Sequence, residues 1–198
     1  MKKLSALIFV VLSAFYTSKG QFTRIGTGPG FTTGFPFHQQ TWESNKSSKF
    51  DIFLKGVYEI TLPLHVSPSF TWIFPHIYKV TEPFGEEKTS VSAVMFDFNG
   101  HYVFNSLDRF KFYGLAGLDI MLARKKDVST LENSEYKSIE KDNAIGLNLG
   151  AGTYILIAGP VDLFVEAKYV VSKYDQFMLN AGVLLNLEWL TKKEEAGQ

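Results

Sequence analysis

Apolar and polar residues alternate along several stretches of the chain. The stretch SVSAVMFDFNGHYVF, residues 90–104, places Asp97, Asn99 and His101 on one face and large apolar side chains on the other. The same period of two is present in three further segments, at 50–62, 161–171 and 177–189. Successive side chains of a β-strand point to opposite faces, so the pattern predicts strands with one apolar and one polar side. Strands of about ten residues or more are long for a globular sheet and suit a tilted membrane crossing.

The whole chain divides into eight segments of this kind. They lie at about 22–34, 50–62, 66–79, 90–104, 110–123, 144–157, 161–172 and 177–189. The connections alternate in length, because the long polar segments 35–49, 79–89 and 124–143 are separated by tight turns. Short turns on one side and long polar loops on the other are typical of an outer-membrane barrel with its termini in the periplasm. The predicted fold is therefore all-β, an eight-stranded antiparallel up-and-down transmembrane β-barrel.

The N-terminal segment MKKLSALIFVVLSAFYTSKG has the charged, apolar and small-residue regions of a secretory signal peptide. We expect a signal peptide at 1–20, the barrel at 21–190 and a short charged tail at 191–198. Removal of the three lysines of the signal from a chain with 20 basic and 20 acidic residues leaves a net charge of −3, which argues against nucleic-acid binding. The chain has no cysteine, which excludes a lipoprotein anchor and thiolate metal sites.

Three glycines in TRIGTGPGFTTGF, residues 23–35, resemble a phosphate-binding loop at first sight. Gly26, Gly28 and Gly30 are two residues apart, so they share one face of the first strand. A phosphate loop needs a following helix, and FTTGFPF is poor helix material. We expect these glycines to leave room for longer side chains in a narrow interior, and we predict no cofactor.

The last predicted strand carries the most specific family likeness. Its pattern of polar, glycine and then alternating apolar or aromatic positions resembles the C-terminal signal that the outer-membrane insertion machinery reads, and the positions are Asn180, Gly182, Leu185, Leu187 and Trp189. The segments YGLAGLDI and GLNLGAGTYIL are similar to strands of the same proteins. The mature chain thus resembles the small eight-stranded outer-membrane family that includes the membrane domain of OmpA and OmpX. It differs in continuing as LTKKEEAGQ after the terminal aromatic residue.

The resemblance implies a location in the outer membrane of a Gram-negative-type bacterium, with lipid and lipopolysaccharide as surroundings. An eight-stranded barrel has an interior that side chains nearly fill, so no general pore is expected. The candidates to fill it are Lys55, Glu59, Asp97, Asp119, Glu166, Lys168 and Glu188. Charges in such an interior must be paired, because an unpaired buried charge is costly.

Two groups of residues raise the question of chemistry. Asp97, Asn99 and His101 have side chains of the kinds that bind metals or relay protons, although a row of polar residues is expected on any inward strand face. His65 and Ser67 would suit a lipid esterase, but residues two apart on one strand do not bring a nucleophile within hydrogen-bond reach of its base. We therefore predict no catalytic residue and no metal site, and hold the first trio as a weak candidate for a polar cluster in the interior.

The predicted function is an integral outer-membrane protein of structural or surface-interaction type. The polar segments 35–49, 79–89 and 124–143 are the candidates to contact an extracellular partner. Eight aromatic residues towards the strand ends are expected at the membrane boundary, namely Tyr58, Trp72, Tyr78, Tyr102, Tyr113, Tyr154, Tyr169 and Trp189. An exported soluble barrel of lipocalin type with a small apolar ligand, and a barrel enzyme that modifies outer-membrane lipid, are the alternatives.

Overall fold

The computed structural model describes residues 21–33, 49–82, 85–131, 134–157 and 159–187. These residues form eight strands, which are β1 (Gln21–Thr32), β2 (Lys49–Thr61), β3 (Leu64–Glu82), β4 (Gly85–Leu107), β5 (Phe110–Leu131), β6 (Ser134–Leu156), β7 (Val161–Val171) and β8 (Gln176–Asn186). The predicted signal peptide, the predicted tail, Glu188, Trp189 and nearly all of the segment 35–49 lie outside the described residues. Within the described residues, no helix is long and apolar enough to cross a membrane.

The strands close into a ring in chain order. Each strand pairs antiparallel with its neighbour, and β1 pairs with β8, as in Arg24 with Asn186 and Gly30 with Asn180. The predicted eight-stranded antiparallel barrel is confirmed. All connections at one end are tight, through residues 62–63, 108–109 and 157–160, and both ends of the described chain are at that end because β1 begins and β8 finishes there.

The alternation along each strand separates the interior of the barrel from its outer surface. On β4, Asp97, Asn99 and His101 are buried, whereas Phe96 and Phe98 are each 47% exposed. The outward apolar positions of this strand run from Val94 to Phe104, about 34 Å along the strand and about 24 Å across a membrane at a tilt of about 45°. This height matches the apolar band of about 25 Å that outer-membrane barrels present to lipid.

At the other end of the barrel, four strands are longer than the sequence predicts. The prediction that segments 79–89 and 124–143 are loops is wrong. Strand β3 pairs with β4 up to Glu82 and Gly85, and β5 pairs with β6 up to Leu131 and Ser134. Strands β4 and β5 also pair with each other there, from Gly85 opposite Leu131. Polar residues on both faces concealed these strands, because a sheet with water on both sides needs no apolar face. We call residues 76–82, 85–92, 124–131 and 134–142 the projecting sheet.

The glycines of β1 lie where the first and last strands meet. A Cβ on Gly28 would be 2.1 Å from the Ala181 carbonyl oxygen and 2.6 Å from the Cα of Gly182. A Cβ on Gly30 would be 2.1 Å from the Asp51 carboxylate, which is buried in the interior. As predicted, Gly26 and Gly30 make room for interior side chains, whereas Gly28 instead permits close approach of the β8 backbone.

Candidate functional site in the barrel interior

The interior holds buried charged side chains from the end with the tight turns through its middle and, on β2, up to Asp51 and Lys49 near the other end. The buried charged side chains among the described residues are four cations, Arg24, Lys49, Lys55 and Lys168, and five carboxylates, Asp51, Asp97, Asp119, Asp162 and Glu166. Oppositely charged groups must pair when water is excluded. The numbers of buried cations and carboxylates must therefore be nearly equal if side chains are to fill this interior.

Asp97 is the centre of the middle band. Its carboxylate is 2.7 Å from the Lys168 ammonium group. It also accepts hydrogen bonds from Ser69 at 3.0 Å and from the Asn148 amide at 2.7 Å. Asn148 donates as well to the Asn99 side-chain oxygen at 2.8 Å, so one amide joins two of the residues that the sequence singles out. Asn148, on the neighbouring side of the barrel, could not be found from strand β4 alone.

His101 belongs to a different group of side chains, one layer closer to the tight turns. Its Nδ1 atom is 2.7 Å from the Tyr154 hydroxyl oxygen, and its ring stacks on Tyr113 with 4.4 Å between centroids. Tyr113 donates to Glu166 at 2.9 Å, and the same carboxylate oxygen accepts from Lys55. The three residues of strand β4 thus point inward in one row, but His101 binds different partners from those of Asp97 and Asn99.

No metal site follows from these contacts. Across the described parts of the chain, no group of three His, Asp or Glu side chains is arranged to hold a metal ion. Asp97 is bound to an ammonium group and His101 to a phenol, so the arrangement is that of a hydrogen-bonded filling. What this arrangement can do chemically is neutralise buried charges inside a narrow barrel.

The end of the interior near the tight turns is closed by a second set of charges. The Arg24 guanidinium group lies 3.2 Å from Asp162 and 3.5 Å from Glu59. His65 lies 3.8 Å from Glu59, while the Ser67 hydroxyl donates to the Gly56 carbonyl oxygen at 2.9 Å. The Ser67 hydroxyl is thus engaged with the backbone, and no hydrogen bond between it and His65 is recorded among the described residues.

The interior below the projecting sheet differs from the polar filling that the sequence suggests. It holds an apolar cluster that includes Ile73, Met95, Met121, Met178 and Tyr174, while Asp51, opposite Ile73, and Lys49 are buried charges on the β2 side of the same region. Ile73 and the three methionines have apolar neighbours on both faces of their strands, so the alternation gave no sign of which side was inward. The Gln176 amide contacts the sulfur atoms of Met95 and Met121 at 3.7 Å each.

At the rim above this apolar layer, the β7–β8 turn is tied to β6. Lys173 forms an ion pair with Asp142, and the Tyr174 hydroxyl donates to the same carboxylate. Burial and the bond to Asp142 raise the pKa of Tyr174 above its usual range. The phenol therefore stays protonated and remains a donor at neutral pH.

The prediction of eight aromatic residues at the membrane boundary is wrong for the buried ones and stays a prediction for those on the outer surface. Trp72, Tyr102 and Tyr169 are about half exposed on the outer surface. Tyr113 and Tyr154 are fully buried in the interior, where their hydroxyls form hydrogen bonds with Glu166 and His101, respectively. Tyr58 is also buried. The side chain of Tyr78 and all of Trp189 lie outside what the structure describes.

The last strand keeps its predicted alternation as far as it is described. Asn180 is buried and Leu185 is 44% exposed on the outer surface. Gly182 lies opposite Phe164 of β7, and Leu187 is half-buried. Recognition of these residues together with Trp189 by the insertion machinery stays a prediction.

Comparison with known proteins shows the fold. No family model matches the chain, and no curated protein matches its sequence. Among solved structures, Ail, the attachment invasion locus protein of Yersinia pestis, is 15% identical with a TM-score of 0.50, and the match covers 83% of this chain and all of Ail. The Neisserial surface protein NspA is 16% identical with a TM-score of 0.46, covering 85% of this chain and 99% of NspA. The N-terminal β-barrel domain of Pseudomonas aeruginosa OprF is 13% identical with a TM-score of 0.46, covering 85% and 99%. The likeness to Ail confirms, at the level of the fold, the resemblance to small outer-membrane barrels.

Proposed function

We propose that the chain is an integral outer-membrane β-barrel with a structural or surface-interaction role. Its tight turns, the start of β1 and the end of β8 face the periplasm, and its projecting sheet faces outward from the cell. The observation that carries the proposal is the reversed polarity of the barrel. Large apolar side chains cover the outer surface, and charged side chains fill much of the interior.

The outer surface is unsuited to water. Phe50 is 68% exposed, and Ile145 and Phe104 are 72% and 62% exposed. Comparable apolar side chains are exposed on all eight strands and form a continuous belt. Soluble monomers rarely expose apolar patches above a few hundred square ångströms, whereas lipid requires such a surface. A soluble lipocalin-type barrel would need the opposite arrangement, so the observed polarity argues against that alternative.

The filled interior argues against a general pore. Lys55, Glu166 and Tyr113 meet across one layer, and Asp97 and Lys168 meet across the next. The Met95, Met121 and Met178 layer follows towards the outside. An eight-stranded barrel has a lumen that side chains can close at each of these levels.

We propose further that the chain has no enzymatic activity of its own. The serine and histidine nearest to a hydrolase pair, Ser67 and His65, are engaged with Gly56 and Glu59. The lipid-modifying alternative is tested by lipid analysis of a deletion strain. Loss of one acyl species or the appearance of an unmodified precursor would favour the enzyme.

Fractionation of native membranes, followed by gel electrophoresis with and without boiling, tests the membrane proposal. We expect the protein in the outer-membrane fraction, with a band that migrates differently before and after heating because the closed barrel resists detergent. Recovery of the protein in the soluble periplasmic fraction would contradict the proposal and would favour the soluble lipocalin-type barrel instead. Two deletions test the predicted insertion signal by the same fractionation. One removes residues 190–198 and keeps Trp189, and the other removes residues 188–198 together with Trp189.

A further inference from the structure

Near the apolar belt, the two faces of the projecting sheet carry opposite charges, while farther out Glu86 is on the same outward face as Lys88. Residues directly opposite on neighbouring strands point to the same side, so the pairing defines rows across the sheet. The three outward rows nearest the apolar belt are Ser92–Arg124–Lys141, Ile77–Ser90–Lys126–Ile139 and Lys79–Lys88–Val128–Lys137. These rows contain six cations and no acidic residue. All six cationic residues are exposed.

The inward rows have the opposite character. They include Glu87, Asp127, Glu140 and Asp142, with Lys125 as the basic residue of the same rows. Lys125 pairs with Asp127 at 2.9 Å, and Thr89 donates to Asp127 at 2.7 Å. Asp127 and Lys125 therefore have partners within the sheet, and Asp142 pairs with Lys173 of the β7–β8 turn. For Arg124, Lys126 and Lys141, no ion pair with a described residue is recorded.

The outward basic rows begin directly above the apolar belt. The next row down is Trp72–Val94–Leu122–Asn143, which is apolar except for its last member. A cavity of about 460 Å³ on this outer surface is lined by Trp72, Val94 and Leu122 on its apolar side and by Arg124, Lys141, Asp142 and Asn143 on its polar side. The Asp142 carboxylate is neutralised by Lys173 and accepts a hydrogen bond from Tyr174. The cavity thus joins the lipid-facing belt to the lowest row of cations.

An amphiphile with an acyl chain and an anionic head matches this arrangement. Its chain would contact Trp72 and Leu122, and its anionic groups would reach Arg124 and Lys141. The three basic rows extend about 14 Å along the strands, so they present cations to a large headgroup carrying several charges. Soluble anions would not use the apolar half of the cavity.

We propose that this outward face binds a phosphorylated glycolipid of the outer leaflet, with its phosphates at Arg124 and Lys141 and an acyl chain in the cavity below. The inference rests on the proposed outer-membrane location and orientation. A cation near an anionic lipid surface contributes about 1 kcal/mol, which is about fivefold in affinity. Removal of the charges of both Arg124 and Lys141 should therefore weaken binding roughly 25-fold.

The test uses the folded full-length mature chain in detergent micelles and fluorescently labelled diphosphoryl lipid A as the probe, with fluorescence anisotropy as the readout. We expect R124Q/K141Q to bind roughly 25-fold more weakly. The charge-matched control R109Q/K111Q removes two cations at the opposite end of the barrel and should change binding less than about twofold. The swap R124K/K141R, which keeps both charges, should retain most of the affinity.

Competition identifies the ligand class. Unlabelled diphosphoryl lipid A should displace the probe, the dephosphorylated lipid should displace it far less well, and inorganic phosphate at the same concentration should not displace it. Equal binding by wild type and R124Q/K141Q would overturn the proposal, as would equal displacement by inorganic phosphate or by the dephosphorylated lipid. These outcomes are separate from the membrane proposal, because a protein that is heat-modifiable and in the outer membrane but indifferent to lipid phosphates contradicts this inference alone.

Discussion

The buried pair between Lys168 and Asp97 gives the sharpest test of the filled interior. Lys168 is 1% exposed and Asp97 is 4% exposed, and 2.7 Å separates the ammonium nitrogen from the carboxylate oxygen. K168M keeps most of the side-chain volume but leaves the Asp97 charge without its cation. Loss of one partner of a buried ion pair costs about 3–5 kcal/mol.

The expected loss is large enough to measure by urea unfolding of the barrel in lipid vesicles. A loss of about 4 kcal/mol with a denaturant slope of about 2 kcal/mol/M lowers the unfolding midpoint by about 2 M. The matched control is K173M, which breaks the rim pair with Asp142 at a lysine side chain that is 57% exposed. Exposed pairs contribute about 1 kcal/mol or less, so its midpoint should move by at most about 0.5 M.

A second variant separates charge from packing. K168M/D97N removes both charges, so it should recover at least half of the stability that K168M loses. If K168M unfolds within about 0.5 M urea of the wild type, the pair is not desolvated. The description of the interior as filled by side chains would then be wrong.

Three further results are expected. G28V should prevent closure of the ring and abolish the heat-modifiable band, because its Cβ would meet the Ala181 carbonyl oxygen at 2.1 Å. The control G114A places its new Cβ where no atom lies within 4 Å, so it should migrate as wild type. Y154F should lower the free energy of unfolding by about 1–3 kcal/mol, since it leaves buried His101 without its 2.7 Å hydrogen bond, and an unchanged unfolding midpoint would contradict that bond. The reconstituted protein should show no stepwise ion conductance in planar bilayers, and steady openings of large conductance would contradict the closed interior.

The sequence was informative wherever one face of a strand met lipid and the other met charged groups. Asp97 and Phe98 on β4 show the contrast, because adjacent residues there differ from buried to 47% exposed. Five of the seven predicted interior charges, including Lys55 and Glu166, are buried in the barrel. Glu59 is half-buried beside Arg24, and Glu188 lies outside the described residues.

The pattern was uninformative wherever both faces of a strand had the same polarity. Residues 124–131 have water on both sides, so their pairing with 134–141 looked like a polar loop. Met95 and Met121 are apolar and point inward from strands whose outer face is also apolar, so the upper interior was not predicted. Partners far apart in the chain, such as Asn148 and Asp97, follow from the ring register and not from local spacing.

The seam between β1 and β8 has a consequence for how the barrel forms. Seven of the eight strand pairings join neighbours in the chain, but the eighth joins opposite ends, with Arg24 opposite Asn186. Local contacts form faster than contacts that close long loops. We therefore expect the hairpins to assemble first into a curled open sheet, whose closure is the slow kinetic step. Gly28 and Gly182 face each other there without side chains, so the two edges can approach without displacing any side chain at that point.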